Sequence, residues 1–242
     1  IIRMVDEVDV SLCFDDFFSN EVNYTYHVGP EFLKKESKLN RICGLEYLLF
    51  RNEFITSRRN MQFVRNESSL LISLGSIDPS DATYRVIDAL IEYDFFDEIN
   101  VIIGKFFSKN NVSRIHDFVG ENKSFKIHNG ISDVSKFYIR SNICIVSGGQ
   151  SKFEANLLGS FPILLAHNEC EANACKICNK EGLGLYLGLS RDFKAEKLIC
   201  ALNKFRKSPE RLEKIRVSIN DKIDGLGAKR IAKLLGETVS EI

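Results

Sequence analysis

The segment Ile143-Cys-Ile-Val-Ser-Gly-Gly-Gln-Ser-Lys-Phe-Glu-Ala-Asn-Leu-Leu-Gly159, followed at once by Phe161-Pro-Ile-Leu-Leu-Ala166, constrains this chain more than any other. Ile143, Cys144, Ile145 and Val146 form a short continuous apolar run, the pattern of a strand buried on both faces of a parallel sheet. Gly148 and Gly149 end that run. From Gln150 the spacing turns helical, with Phe153, Leu157 and Leu158 on one side, and Gly159 stands where a left-handed helix cap belongs. Strand, glycine turn, helix and strand make a βαβ unit. The turn leaves the first helical amides without partners in the helix, and two glycines let an anionic group approach the backbone closely, which suits a phosphate. Glu154 follows Gln150 and Ser151 by one turn, so its carboxylate can accept hydrogen bonds from ribose hydroxyls in the same crevice. Such turns also occur with nothing bound and with the carboxylate solvated. These residues by themselves leave both readings open.

The same alternation extends in both directions. Strands are expected over 70–74, 99–103, 125–127, 163–166 and about 185–187, and helices over 82–93, 112–119, 134–139 and 168–180. Ser132 and Asp133 are candidate caps for the third of these helices. The tail reads as three helical pieces, 195–205, 209–223 with Pro209 at its start, and 228–235. Strands alternating with helices predict an α/β fold, a Rossmann-like doubly wound parallel sheet with right-handed crossovers. Residues 1–57 read as a partial N-terminal domain and connection, with one strand-like run in 8–18, an irregular stretch from Asn23 to Gly29 and a compact aromatic segment over 44–54. A single strand buries no core of its own. The polar stretches 57–60 and 65–68 are expected to be the linker into an α/β domain spanning 58–242, the one that would bind a nucleotide.

Ligands in such sheets bind beyond the carboxyl ends of the strands. Four glycine-rich or polar loops fall there: Gly75-Ser76-Ile77-Asp78, His128-Asn129-Gly130, Gly148-Gly149-Gln150-Ser151 and His167-Asn168-Glu169. Their clustering favours a binding crevice. The charge balance, 33 basic against 33 acidic residues, argues against a nucleic-acid partner. No run approaches the roughly 18 apolar residues of a membrane span, and the N-terminus lacks a signal-peptide pattern, so a cytoplasmic protein is expected. Seven cysteines, with Cys13, Cys144 and Cys200 in apolar runs, suit reduced core thiols.

The central segment and three others point the same way. Ser147-Gly-Gly-x-Ser-x-x-Glu154, Gly159-x-x-Pro162, Asn168 and Gly182-x5-Gly188 together resemble the C-terminal nucleotide-binding half of the glycosyltransferase type B fold. Within it the chain is most similar to the UDP-sugar hydrolases of pseudaminic acid biosynthesis and their spore-coat polysaccharide relatives. Gly44-Leu-Glu-Tyr-Leu-Leu-Phe-Arg-Asn-Glu-Phe54, Leu70-Leu-Ile-Ser-Leu-Gly-Ser-Ile-Asp78 and Ile223-Asp-Gly-Leu-Gly-Ala-Lys-Arg-Ile231 resemble that family's other signatures in the same order. The resemblance implies a UDP-sugar ligand and no cofactor or metal. It places the uracil against the backbone at His128 and Asn129, the diphosphate on the amides of Gly148, Gly149, Gln150 and Ser151, and Gly75 with Ser76 on the opposite wall. Glu154 would hold the ribose, with Asn168 and Glu169 near the phosphate and sugar. Ser76 and Glu169 depart from the family's usual glycine and glutamine, and Glu169 brings a carboxylate towards phosphates. The family's N-terminal Gly-x-Gly-His loop, with its proposed catalytic histidine, has no counterpart here, so the catalytic residues are unassigned and this chain is expected to need a further half for turnover. A glycosyltransferase and a non-catalytic nucleotide-binding subunit are the alternatives.

Other clusters compete less well. Cys170, Cys175 and Cys178 with His167 have part of a metal-ligand spacing, but they fall on one expected helix with no second ligand pair, so core thiols are the preferred reading. His27 and His116 stand beside no triad partner. Asp15 and Asp16 end a strand-like run, where a capping role and an acid/base role are both open.

Overall fold

Continuous apolar runs became interior strands. A computed structural model describes residues 12–14, 26–29, 40–60, 66–220 and 222–240. The larger of two compact units covers Asn52–Asp221. It opens with helix α1 (Asn52–Arg59) and continues through β4 (Asn66–Ser73), α2 (Ala82–Leu90), β5 (Glu98–Ile102), α3 (Lys109–Val119), β6 (Phe125–His128), α4 (Ser135–Arg140), β7 (Ser141–Ser147), α5 (Ser151–Leu157), β8 (Phe161–Ala166), α6 (Glu169–Lys180), β9 (Leu185–Leu189), α7 (Ala195–Lys207) and α8 (Pro209–Asn220). The six strands lie in the order β6-β5-β4-β7-β8-β9, every pair parallel. This is the doubly wound, Rossmann-like sheet that the alternation predicts.

The sheet is covered on both faces, so its central strands cannot alternate polar and apolar residues. Leu70 pairs with Ile143 and Ile72 with Ile145, and these join α2, α7 and α8 in one core with Val86, Ile87, Leu90, Leu198, Leu202 and Leu212. Leu71, Cys144, Val146 and Leu164 are equally buried, and α4, α5 and α6 pack against β4, β7, β8 and β9. Each fully buried aliphatic side chain of this kind contributes about 1.5–3 kcal/mol. Helix α1 belongs to this unit: Phe54 is fully buried with its ring 5.8 Å from that of Tyr138, and Ser57 Oγ lies 2.7 Å from Ser135 Oγ. The expected linker is therefore partly regular structure. Residues 57–59 complete α1, with Arg58 and Arg59 in the last turn where cations suit the helix dipole, and 66–68 begin β4.

The smaller unit holds residues up to Arg51 and from Lys222. Its strands β1 (Leu12–Phe14), β2 (Tyr26–Gly29) and β3 (Asn40–Cys43) form a parallel sheet in the order β1-β2-β3. Residues 26–29, expected to be irregular, are thus a strand. Four-residue strands spelled Tyr-His-Val-Gly and Asn-Arg-Ile-Cys carry no apolar run by which to recognise them. The run in 8–18 contains β1, and Asp15 and Asp16 lie outside the described residues. A 3-10 turn (Leu45–Tyr47) and helix α9 (Gly227–Ser240) meet in this unit. Arg230 Nη1 donates to Glu46 O at 2.9 Å and to Asp224 Oδ1 at 2.8 Å, while Nη2 donates to Asp224 Oδ2. A Cβ on Gly227 would stand 2.3 Å from Leu48 O, so the helix start fits against this turn only without a side chain. No helix among the described residues is long and apolar enough to cross a membrane.

Hydrogen bonds from Arg230 hold the Asp224 carboxyl below its usual range. A depressed acid stabilises above its unfolded value of about 3.9, and that contribution disappears as pH falls through the lower folded value. Unfolding followed from pH 7 to 2 should show this loss in the native chain. Asp224→Asn should lower stability at neutral pH by about 1 kcal/mol at most, since both groups reach solvent, and should flatten the acid slope.

Candidate functional site

The order of strands decides where a ligand can sit. From β4 the chain winds outward through β5 to β6, and from β7 it winds the other way through β8 to β9. Helices leave in opposite directions at this point, opening a crevice outside the carboxyl ends of β4 and β7. All four loops singled out in the sequence follow carboxyl ends, those after β4, β7 and β8 side by side and the one after β6 two strands from β4.

One wall is the turn after β4. Gly75 has φ +97°, a conformation that side chains resist. The loop after β5 wedges this turn in place: Phe106 N donates to Ser76 O at 2.9 Å, and a Cβ on Gly104 would fall 2.3 Å from Gly75 O and 2.6 Å from Ser76 O. Asp78, in the same loop, accepts from the Ala82 and Thr83 amides at 2.8 and 2.7 Å and caps α2.

The other wall is the glycine pair after β7, and its two members differ. Gly148 is packed against α6, where an added Cβ would meet Glu171 Cβ at 2.7 Å and Cys175 Sγ at 2.9 Å. Its N–H donates to Glu171 Oε2 at 3.2 Å, and the same oxygen accepts from His167 N at 2.9 Å. Gly149 is uncrowded: an added Cβ would meet Ser147 Oγ at 3.9 Å, an ordinary van der Waals distance. Lys152 is 2% exposed, and its Nζ donates to Gly148 O at 2.7 Å and Gly149 O at 2.9 Å. Beneath the turn the Tyr138 hydroxyl is hydrogen-bonded to Ser151 and Ser73, and burial pushes its pKa far up. Glu154, on the same helix, is 5% exposed and adds negative potential at Tyr138.

A polar chain crosses the ends of β4, β8 and β9. His167 Nε2 lies 2.7 Å from Leu74 O, which only accepts, so Nε2 carries the proton. In the neutral ring Nδ1 then accepts from Ser190 Oγ at 3.2 Å, and Ser80 donates to Ser190 Oγ at 2.8 Å. Arg85 adds donors to the carbonyls of Ser80, Ser190 and Arg191. Asn168 caps α6 through Oδ1, accepting from Glu171 N at 2.9 Å. Glu169 is exposed and paired with Arg191 at 3.0 Å, which offsets the charge it presents. At the far strand, His128 Nε2 bonds Asn100 Oδ1 at 2.8 Å and its ring lies 4.5 Å from that of Phe137. Burial lowers the His128 pKa, which favours the uncharged imidazole. Asn129 is exposed, with Nδ2 3.3 Å from His116 Nε2.

Sequence reasoning did not single out Lys152, Glu171, Gly104 or Tyr138. Glu171 had a readable signal, since Asn168-x-x-Glu171 spells a capping box, although its carboxylate reaches the His167 and Gly148 amides. Lys152 read only as a helix residue beside a turn. Cys175 and Cys178 are buried on α6 and Cys170 is exposed, and burial pushes the Cys175 thiol up to about 12. Among the described residues no three His, Cys, Asp or Glu side chains converge as a metal site.

No protein-family model matches the chain. An uncharacterised protein of Methanocaldococcus jannaschii is 28% identical over 145 residues, 58% of this chain and 30% of that protein. The spore coat polysaccharide biosynthesis protein SpsG of Bacillus subtilis is 22% identical over 193 residues, 79% of this chain and 57% of SpsG. The chain thus spans well under two thirds of either relative. Among solved structures, Acinetobacter baumannii MurG superposes with a TM-score of 0.65 at 12% identity, covering 88% of this chain and 60% of MurG. The glycotransferase of kitacinnamycin gives 0.61 at 12% identity over 88% of this chain and 55% of its own. The UDP-GlcNAc 2-epimerase of Neisseria meningitidis, solved with UDP-GlcNAc, gives 0.54 at 16% identity over 75% of this chain and 47% of its own. At these identities the likeness establishes the fold, that of the C-terminal half of glycosyltransferase type B proteins.

The glycines separate in a stability assay. Gly104→Ala and Gly148→Ala should each destabilise by about 1–3 kcal/mol in urea unfolding, because backbone or packed side-chain atoms must move. Gly149→Ala should be neutral or slightly stabilising, since the added methyl meets nothing closer than 3.9 Å and the chain loses unfolded-state freedom.

Proposed function

We propose that the crevice between β4 and β7 binds a UDP-sugar, and that the protein acts on the sugar–phosphate bond in surface-polysaccharide synthesis as a UDP-sugar hydrolase of the pseudaminic acid type. One observation carries the reading: the uncrowded glycine, Gly149, lies at the topological switch point of the sheet, facing a wall whose Gly75–Ser76 turn is held by a wedged glycine. The similarity to SpsG, a protein of spore coat polysaccharide biosynthesis, and a fold shared with an epimerase solved with UDP-GlcNAc support this reading.

In this reading the diphosphate rests on the amides of Gly149, Gln150 and Ser151, the Gly148 amide being already bonded to Glu171. Gly75 and Ser76 form the opposite wall. Uracil reaches the carboxyl end of β6 at His128 and Asn129, Glu154 receives the ribose hydroxyls, and Asn168 and Glu169 border the sugar. In hydrolysis a water oxygen bonds to the anomeric carbon as the bond to the β-phosphate oxygen breaks, and UDP leaves with its charge on the backbone amides. The group that activates the water is not among these residues.

Calorimetric titration with UDP, with ADP and CMP in parallel, tests the site. Selective UDP binding is expected, and Glu154→Gln should weaken it by about 1–3 kcal/mol, the usual loss of a charged hydrogen-bond partner. Gly149→Ala should weaken UDP binding without loss of stability. Equal response to all three nucleotides, or none to UDP, would remove the crevice from consideration.

A further inference from the structure

Lys152 presents a physical problem that the proposed function leaves unexplained. A lysine that is 2% exposed carries a large desolvation cost unless its ammonium is satisfied. Among the described residues it forms no ion pair, and its hydrogen bonds go to the carbonyls of Gly148 and Gly149. Those carbonyls precede Gln150, the N-cap of α5, and so stand outside the helical hydrogen-bond ladder. The ammonium gathers two acceptors that the helix does not use.

Peptide planarity turns this contact into a statement about donors. No cis peptide bond is present among the described residues, and in a trans peptide the C=O of one residue and the N–H of the next point in opposite directions. Drawing Gly148 O and Gly149 O onto the buried ammonium therefore aims the N–H groups of Gly149 and Gln150 away from it. Gly149 is half-buried with no close neighbour to an added Cβ, and Gln150 is exposed. The preceding amide, that of Gly148, is turned to the Glu171 carboxylate instead. A buried ammonium and a half-buried carboxylate thus sort the amides of one turn, one inward and two outward. A cation on the carbonyl end of a peptide unit also polarises it, which strengthens its N–H as a donor.

We propose that Lys152 is a positioning residue for the diphosphate of the nucleotide sugar, setting the direction and strength of the Gly149 and Gln150 amides without touching the ligand. This rests on the reading of the crevice as a UDP-sugar site. Its selectivity follows from the geometry: the phosphate-bearing part of the ligand depends on Lys152 and the nucleoside part does not.

The test compares UDP with uridine on the native chain, Lys152→Met and Lys152→Gln. Affinity is taken from titrations followed by amide chemical shifts, and folding from thermal melting. Lys152→Met should lower UDP affinity at least tenfold and leave uridine affinity unchanged. The downfield shift of the Gly149 amide proton on adding UDP should vanish with it. Lys152→Gln, which keeps two donors without the charge, should retain the direction of that shift and recover part of the affinity; it also carries the test if the Met variant does not fold. Parallel loss of UDP and uridine, or an unchanged UDP affinity in folded variants, overturns the role of Lys152 while leaving the crevice intact. A native chain that binds uridine or UDP nowhere near Gly149 overturns the site reading, and this inference with it.

Discussion

Parallel pairing of β4 with β7 is the interaction on which the larger unit depends. Leu70 against Ile143 and Ile72 against Ile145 place two strands with buried faces at the middle of the sheet. From Leu70 to Ser73 the two strands pair in continuous register, and both of their faces are covered. The chain then leaves each strand in an opposite direction, towards β6 on one side and β9 on the other. The same pairing that closes the core therefore opens the crevice. Stability and the candidate site share one cause.

Around that crevice, glycine serves three physical ends. Gly75 supplies a backbone angle, Gly104 and Gly148 supply contact distances that a Cβ would violate, and Gly149 leaves its Cβ position uncrowded. Charge is arranged with similar economy of contacts. Lys152 meets the carbonyl side of the turn and Glu171 meets an amide, so each buried or half-buried charge is answered by oriented backbone dipoles. Satisfying a charge by backbone groups avoids the uncompensated burial that makes isolated charges costly. It also fixes the turn more firmly than a solvated loop could.

The smaller unit shows how a motif acquires meaning from its partner. The Gly44–Phe54 and Ile223–Ile231 segments lie far apart in sequence, and each reads as an ordinary aromatic or basic stretch. In the structure Arg230 reaches Glu46 O while gripping Asp224, and Gly227 admits the turn at Leu48. The glycine and charged residues of each segment were legible, whereas their mutual contact was not. Short strands such as Tyr26–Gly29 were missed for a related reason: strand pairing, not hydrophobic period, makes them strands.

By itself the sequence determined the alternation of strands and helices, the parallel sheet, and the loops that follow carboxyl ends, because those depend on local period and on glycine and cap residues within a few positions of one another. It also carried the candidate glycine turn. Tertiary structure alone decided that Gly148 is a packing glycine and Gly149 an uncrowded one, and that Glu154 is buried. It alone brought Glu171 and Lys152 to opposite sides of one turn. Those outcomes depend on which elements lie side by side in space, and a carboxylate 23 residues from the amide it receives has no signature in local spacing.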